Sequence, residues 1–267
     1  MKMNESKYRI LVVKDRSKHA RTALQNAVNL AKKIGGSIDI LYVKPPSEVV
    51  ENDNQLAAWR ELNEESTRAK RTLLEEVNHI STNEQIPISC NFAFGNLISE
   101  VQSRIDSTQP DMVVLGKRKD WVKELLGMDL TTYLLKNYQG ALLIAREEQT
   151  LDTSDDLTLG LLDDFLVKSK SPLLTDLEKT TAKPITLLKI KSEDQQALDA
   201  AQPISTSGMK TFEFESGANV SSSVAKYIER SGVNLLCVSK NNLNSLNKTI
   251  KTVTRQIQMT NTPVLVL

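Results

Sequence analysis

The chain has 267 residues, of which 40% are hydrophobic and 25% charged, and its formal net charge is +1. That is the make-up of a soluble globular protein of two ordinary domains. The near-zero charge supplies no field to hold nucleic acid or a membrane surface, and no apolar run approaches the ~20 residues that cross a bilayer.

Tyr8 to Lys14 (YRILVVK) is a short apolar run of the kind a buried parallel strand needs. Asp15-Arg16-Ser17 follows, with Ser17 placed to cap a helix over Lys18 to Ile34. In that helix Ala20, Ala23, Leu24, Ala27, Leu30, Ala31 and Ile34 recur at three and four residues, so one face is buried. Gly35-Gly36 stops it. Ser37 to Val43 is the second strand, ended by Pro45-Pro46. Ser47 to Ile80 is charged and helix-favouring and reads as a broken or extended helix. Ile86 to Phe94 is the third strand, and Asn96 caps a helix over Leu97 to Ser107. Asp111 to Gly116 and Gly140 to Ala145 are strands four and five, joined by a helix that ends near Asn137. Strand and helix alternate, which means a parallel sheet with right-handed crossovers covering both faces.

Residues 148–156 are acidic and polar without apolar periodicity and read as a linker between a domain over 1–147 and a shorter one over 157–267. In the second, strands are expected at Leu157–Leu162, Ile185–Ile190, Lys210–Phe214 and Val233–Val238, with helices at Leu173–Thr180 and Val220–Arg230. Two stretches align without a gap: Pro110 to Ala145 and Gly232 to Leu267. Ser239 stands 123 positions after Gly116, and Pro263 the same distance after Gly140. Solenoid repeats have periods of roughly 20–50 residues, so this spacing points to one domain present twice.

The residues ILVVKDRSKHARTALQNAVNLAKKIGGSIDILYV, FGNLISEVQSRI, DMVVLG and LLG…GALLIA, with GANVSSSVAKYIERSGVNLLCVS…TPVLVL in the second half, resemble the universal stress protein family in its tandem form. The resemblance implies an α/β fold of two Rossmann-like domains, each a five-stranded parallel sheet of order 3-2-1-4-5. It also implies that the last strands of the two pair, making an intramolecular pseudo-dimer. Family members that bind ATP carry G-x2-G-x9-G-[S/T] after strand four, where glycines let backbone amides approach phosphate. Here Gly116 matches the first glycine and Lys119 replaces the second. Strict counting puts Asp129 and Leu130 at the third glycine and the hydroxyl. Counting back from Gly140 puts Gly127 and Met128 there instead. Both alignments break the signature.

The resemblance further assigns Asp15 to the adenine and ribose and Val43 to the adenine edge, while Lys117, Arg118 and Lys119 are cations able to replace lost amide contacts. The same three cations equally fit a solvated loop. The candidate nucleotide site of the first domain is thus Asp15, Val43, Gly116, Lys117, Arg118, Lys119, Gly127 and Met128. ATP or another adenine nucleotide is its ligand, and no cofactor is required. In the second half Ser239-Lys240-Asn241-Asn242 has no glycine, and Asp163-Asp164 would repel phosphate, so that half reads as a structural partner without ligand. Trp121, in the candidate loop, is placed to plug the pocket.

Catalytic chemistry is not visible. His19 and His79 are the only histidines and fall in helices, no serine or cysteine completes a triad with them, and Cys90 and Cys237 sit in strands without metal-ligand spacing. With no secretion signal in MKMNESKYR, the expected compartment is the cytoplasm. The expectation is a non-enzymatic stress-response protein that senses adenine nucleotide through its first domain and acts on a protein partner. Neither nucleic acid nor membrane is a partner, and further homodimerisation is left open. The alternative is a nucleotide-independent interaction module with both pockets vestigial. Slow ATP hydrolysis lacks a recognisable base or metal ligand set.

Overall fold

Apolar runs alternate with amphipathic ones along the chain, and the computed structural model turns the first into strands and the second into helices. It describes residues 6–14, 18–44, 55–116, 130–146, 151, 157–162, 166–167, 171–181, 183–191, 208–215, 217, 219–240 and 259–267. By compactness the chain divides into two units, Met1–Gly116 and Lys117–Leu267.

The first unit runs β1 (Tyr8–Lys14), α1 (Lys18–Ile34), β2 (Gly36–Lys44), α2 (Gln55–Glu84), β3 (Ile88–Phe94), α3 (Leu97–Thr108) and β4 (Met112–Gly116). Its strands are parallel and lie in the order β3-β2-β1-β4. Leu11 and Val12 of β1 and Val113 and Val114 of β4 are all fully buried, so both faces of the sheet are covered there. Right-handed crossovers put α1 and α2 on one face and α3 on the other. The side chains agree: α2 sends Lys70 over the Phe92 ring, at 5.3 Å, while α3 sends Arg104 to Asp39.

Gly35 and Gly36 divide their labour. Gly35 has φ +73° and ends α1, whereas Gly36 opens β2 where a Cβ would meet Ile10 Cδ1 at 3.1 Å and Ala31 Cβ at 3.4 Å. The second glycine therefore lets α1 pack close to the sheet. The charged stretch after β2 contains a single 30-residue helix, α2.

The second unit contains α4 (Leu130–Asn137), β5 (Ala141–Ala145), β6 (Leu159–Leu162), α5 (Pro172–Lys179), β7 (Thr186–Lys191), β8 (Lys210–Glu215), α6 (Val220–Ser231), β9 (Leu235–Val238) and β10 (Val264–Val266). Strands β8-β7-β6-β9-β10 are parallel neighbours in that order. Beyond β10 lies β5, antiparallel to it, with Val264 opposite Ile144, Leu265 opposite Leu143 and Val266 opposite Leu142. This joint is dry: Leu142, Leu143, Val264, Leu265 and Val266 have no solvent exposure. The division at Gly116 falls before α4 and β5, whereas the sequence reading puts its boundary near residue 147. Within the stretch read as a linker, Leu151 is buried.

Two segments 123 positions apart are built alike. Both α3 and α6 have 12 residues, each follows an asparagine, Asn96 or Asn219, and each ends on a left-handed residue, Gln109 at φ 44° or Gly232 at φ 71°. Only Asn96 caps with its side chain, whose Oδ1 accepts from the N–H groups of Ile98 and Ser99. The strand entries match as well. Arg9 N–H donates to Asp111 Oδ2 at 2.7 Å while Asp111 N–H donates to Arg9 O at 2.9 Å. Thr158 N–H donates to Asn234 Oδ1 at 2.8 Å while Asn234 N–H donates to Thr158 O at 3.1 Å.

Candidate functional site

In open α/β sheets the ligand crevice lies outside the carboxyl ends of the strands where the strand order reverses. In the first unit that point is β1, which has β2 on one side and β4 on the other. Val12 pairs with Val114, and carrying that register two residues on brings Lys14 level with Gly116. Gly116 is half-buried at the end of β4, and Val43, 5% exposed, is the penultimate residue of β2. These two candidate residues therefore end on the same edge of the sheet. Asp15, Lys117, Arg118, Lys119, Gly127 and Met128 lie outside the described residues, as do Ser17, Trp121, Asp163 and Asp164.

The strand ends carry further cations. Lys14 Nζ stands 2.7 Å from Glu76 Oε2 of α2, an ion pair whose lysine is only 13% exposed. Lys44 is buried, with Nζ 5.9 Å from the centre of the Phe94 ring. The register sets Lys14 beside Tyr42 and Tyr42 beside Phe92, whose rings are 5.7 Å apart and tilted. Lys70 lies over the Phe92 ring, so the face of the sheet toward α2 gathers at this edge three lysines, one carboxylate and three aromatic rings. Ammonium over a ring face is attracted by the ring quadrupole. Sequence reading passed over Lys14, Lys44, Lys70 and Glu76. For Lys14 and Lys44 the visible signal was a lysine closing each of the strands YRILVVK and GSIDILYVK.

Nothing among the described residues at this edge is a nucleophile in waiting. Burial pushes the Cys90 thiol up to about 11, against the opposing pull of Lys14 and Lys70. Cys237 in β9 is fully buried and pushed up to about 12 by the same cause. His79 is exposed on α2, its ring nitrogens near Asn83 Nδ2. Among the described residues no group of His, Cys, Asp and Glu is arranged to hold a metal ion.

On the opposite face of the sheet, Asp39 is fully occupied with structure. Its Oδ1 accepts from Ser89 Oγ at 2.9 Å and Asn91 Nδ2 at 2.8 Å, and its Oδ2 accepts from Arg104 Nε at 2.6 Å. That bond and the carboxylate charge hold the Arg104 guanidinium above its ordinary pKa. The network ties β2, β3 and α3 together and leaves the carboxylate no role at the strand ends.

Comparison with known proteins follows the same lines. Residues 8–146 match the universal stress protein family. Among solved structures, a universal stress protein from Archaeoglobus fulgidus DSM 4304 is 15% identical with a TM-score of 0.66, over 97% of this chain and 97% of that one. A functionally unknown protein from Pseudomonas aeruginosa PAO1 is 13% identical with a TM-score of 0.57, over 97% of this chain and 92% of that one. At these identities the likeness is one of fold. No curated protein sequence matches the chain significantly.

Proposed function

Because this chain belongs to the universal stress protein family, we propose that it is a non-enzymatic stress-response protein built from two copies of one α/β unit that pair within the chain. The first copy, over 1–147, takes adenine nucleotide at the carboxyl ends of β1 and β4 and presents a changed surface to a protein partner. The second, over 157–267, is its structural partner. The observation that carries the nucleotide reading is the placement of Gly116 level with the end of β1 at the sheet's reversal point, with Val43 on the same edge. The matched segments 123 positions apart, and the strand order β8-β7-β6-β9-β10, support the duplication. Pairing of β5 with β10 supports the pseudo-dimer. Among the described residues no helix is long and apolar enough to cross a membrane. The cytoplasm is the compartment we assign.

Calorimetric titration with ATP tests the nucleotide reading. Saturable binding is expected, with Gly116→Val abolishing it, since a branched side chain would hold phosphate off the backbone. Lys117→Ala only weakens it. Absence of binding to the wild-type chain overturns the reading.

One observation favours a second reading, the nucleotide-independent interaction module. The ammonium of Lys14, at the end of β1, is already paired with Glu76, so its charge is not held in reserve for phosphate. Failure of ATP to bind, together with capture of a partner by both the wild type and Gly116→Val, would establish that reading.

A further inference from the structure

Lys240 follows β9 and stands 123 positions after Lys117, one of the candidate phosphate-loop cations. Its side chain is employed elsewhere. Nζ donates to Tyr138 O at 2.9 Å and to Gly140 O at 2.5 Å, and sits 5.3 Å from the centre of the Tyr138 ring. Its own N–H donates to Leu267 O at 2.7 Å.

The two carbonyls it reaches are a particular pair. Tyr138 N–H donates to Leu134 O at 3.0 Å, closing the last turn of α4. A helix leaves its final carbonyls without partners inside the helix, and the aligned peptide dipoles gather negative charge there. A lysine placed at that end answers both needs. Gly140 is the residue before β5. One side chain therefore holds the end of α4 and the start of β5, while its backbone holds the residue that follows β10. Among the described residues no carboxylate is ion-paired with it.

We propose that Lys240 is a clasp: it caps α4 from a distant segment and fixes the α4–β5 turn against the β5–β10 joint, so that the leading cation of the second loop is committed to protein rather than to a bound anion. The proposal deepens the reading of the second half as a structural partner, and its test needs no nucleotide binding by the first half.

Hydrogen exchange of the full chain, wild type against Lys240→Met and Lys240→Arg, reads it directly. Methionine keeps the aliphatic stem and removes every donor. Amides of residues 138–145 and 264–267 are expected to exchange about tenfold faster in Lys240→Met, as the loss of donors to two carbonyls would produce, while Thr186–Lys191 is unchanged. Arginine keeps donors and charge, and its exchange should stay within about twofold of wild type. Unaltered exchange at 138–145, or a rise at Thr186–Lys191 equal to the rise there, overturns the clasp. Should the methionine variant fail to fold, wild-type exchange with excess ATP decides the commitment to protein. No change at Leu235–Lys240 is expected, and protection there with release of the 138–145 amides overturns it.

Discussion

Asp111 and Arg9 exchange two hydrogen bonds at the point where β4 enters the sheet beside β1, the Asp111 carboxylate accepting Arg9 N–H and the Arg9 carbonyl accepting Asp111 N–H. Asn234 and Thr158 repeat the arrangement where β9 meets β6. Aspartate and asparagine are interchangeable here because each offers a side-chain oxygen to one backbone donor. Asp111→Asn should therefore be nearly neutral. Asp111→Ala should cost about 0.5–1 kcal/mol because water can replace the acceptor at this exposed contact, and Asn234→Ala, at a part-buried one, should cost about 1–2 kcal/mol. Urea unfolding of the three variants measures this. A loss with Asp111→Asn as large as with alanine would mean that charge, not the hydrogen bond, is what matters.

Gly160 in β6 has no room for a side chain. A Cβ there would meet Val233 Cγ1 at 2.8 Å, and Val233 is itself buried. Gly160→Ala should destabilise by about 1–3 kcal/mol, the range for overpacking a filled core. Combining it with Val233→Ala should return part of that loss, a coupling of at least about 0.5 kcal/mol in a double-mutant cycle. Strictly additive effects would show that the crowding is relieved some other way.

Burial brings the Lys240 ammonium from its ordinary 10.5 down to about 8. Between those values the unfolded chain holds the proton and the folded chain releases it, so this residue makes stability rise with pH across pH 8–10.5. Below pH 8 both states are protonated and the contribution is flat. The difference in unfolding free energy between wild type and Lys240→Met should accordingly grow in favour of wild type by up to ~3 kcal/mol from pH 8 to 10.5. Denaturant melts at four or five pH values give the curve. A difference that stays level, or falls, contradicts it.

Both thiols are held as thiols, Cys90 at about 11 and Cys237 at about 12 against an ordinary 9.0. The thiolate is the reactive species. At pH 7.5 an aromatic disulfide reagent should therefore label the native protein slowly, with Cys90, half-buried, ahead of Cys237, fully buried. Both should react at once in denaturant. Rapid stoichiometric labelling of the native chain would place a thiolate where burial forbids one.

Local chemistry made much of the scaffold legible. β1 and α1 begin and end where the apolar run and the three-and-four spacing do, and Asn96 caps α3 as its place before an amphipathic stretch implies. What the sequence could not disclose is pairing at a distance. No local pattern says that Lys14 meets Glu76 across 62 positions, or that Lys240 meets Gly140 across 100. Each lysine reads as solvated until the fold brings its acceptor near. ALLIA alone would suit any buried neighbour, so the pairing of β5 with the last strand was expected from the family resemblance and not from local pattern. For the candidate site, Val43 and Gly116 fall at strand ends, the other six candidates lie outside the described residues, and Lys14, Lys44 and Lys70 escaped notice.

The antiparallel meeting of β5 with β10 has a consequence for how the protein behaves on dilution. An open strand edge is a row of donors and acceptors ready to recruit any extended chain. Here β5 and β10 close one such row for each other, and both belong to a single polypeptide. Tethering sets their effective concentration on the order of millimolar, whatever the concentration of protein around them. Separate molecules meeting through the same strands would part as they became scarce; this joint has no second-order step to lose.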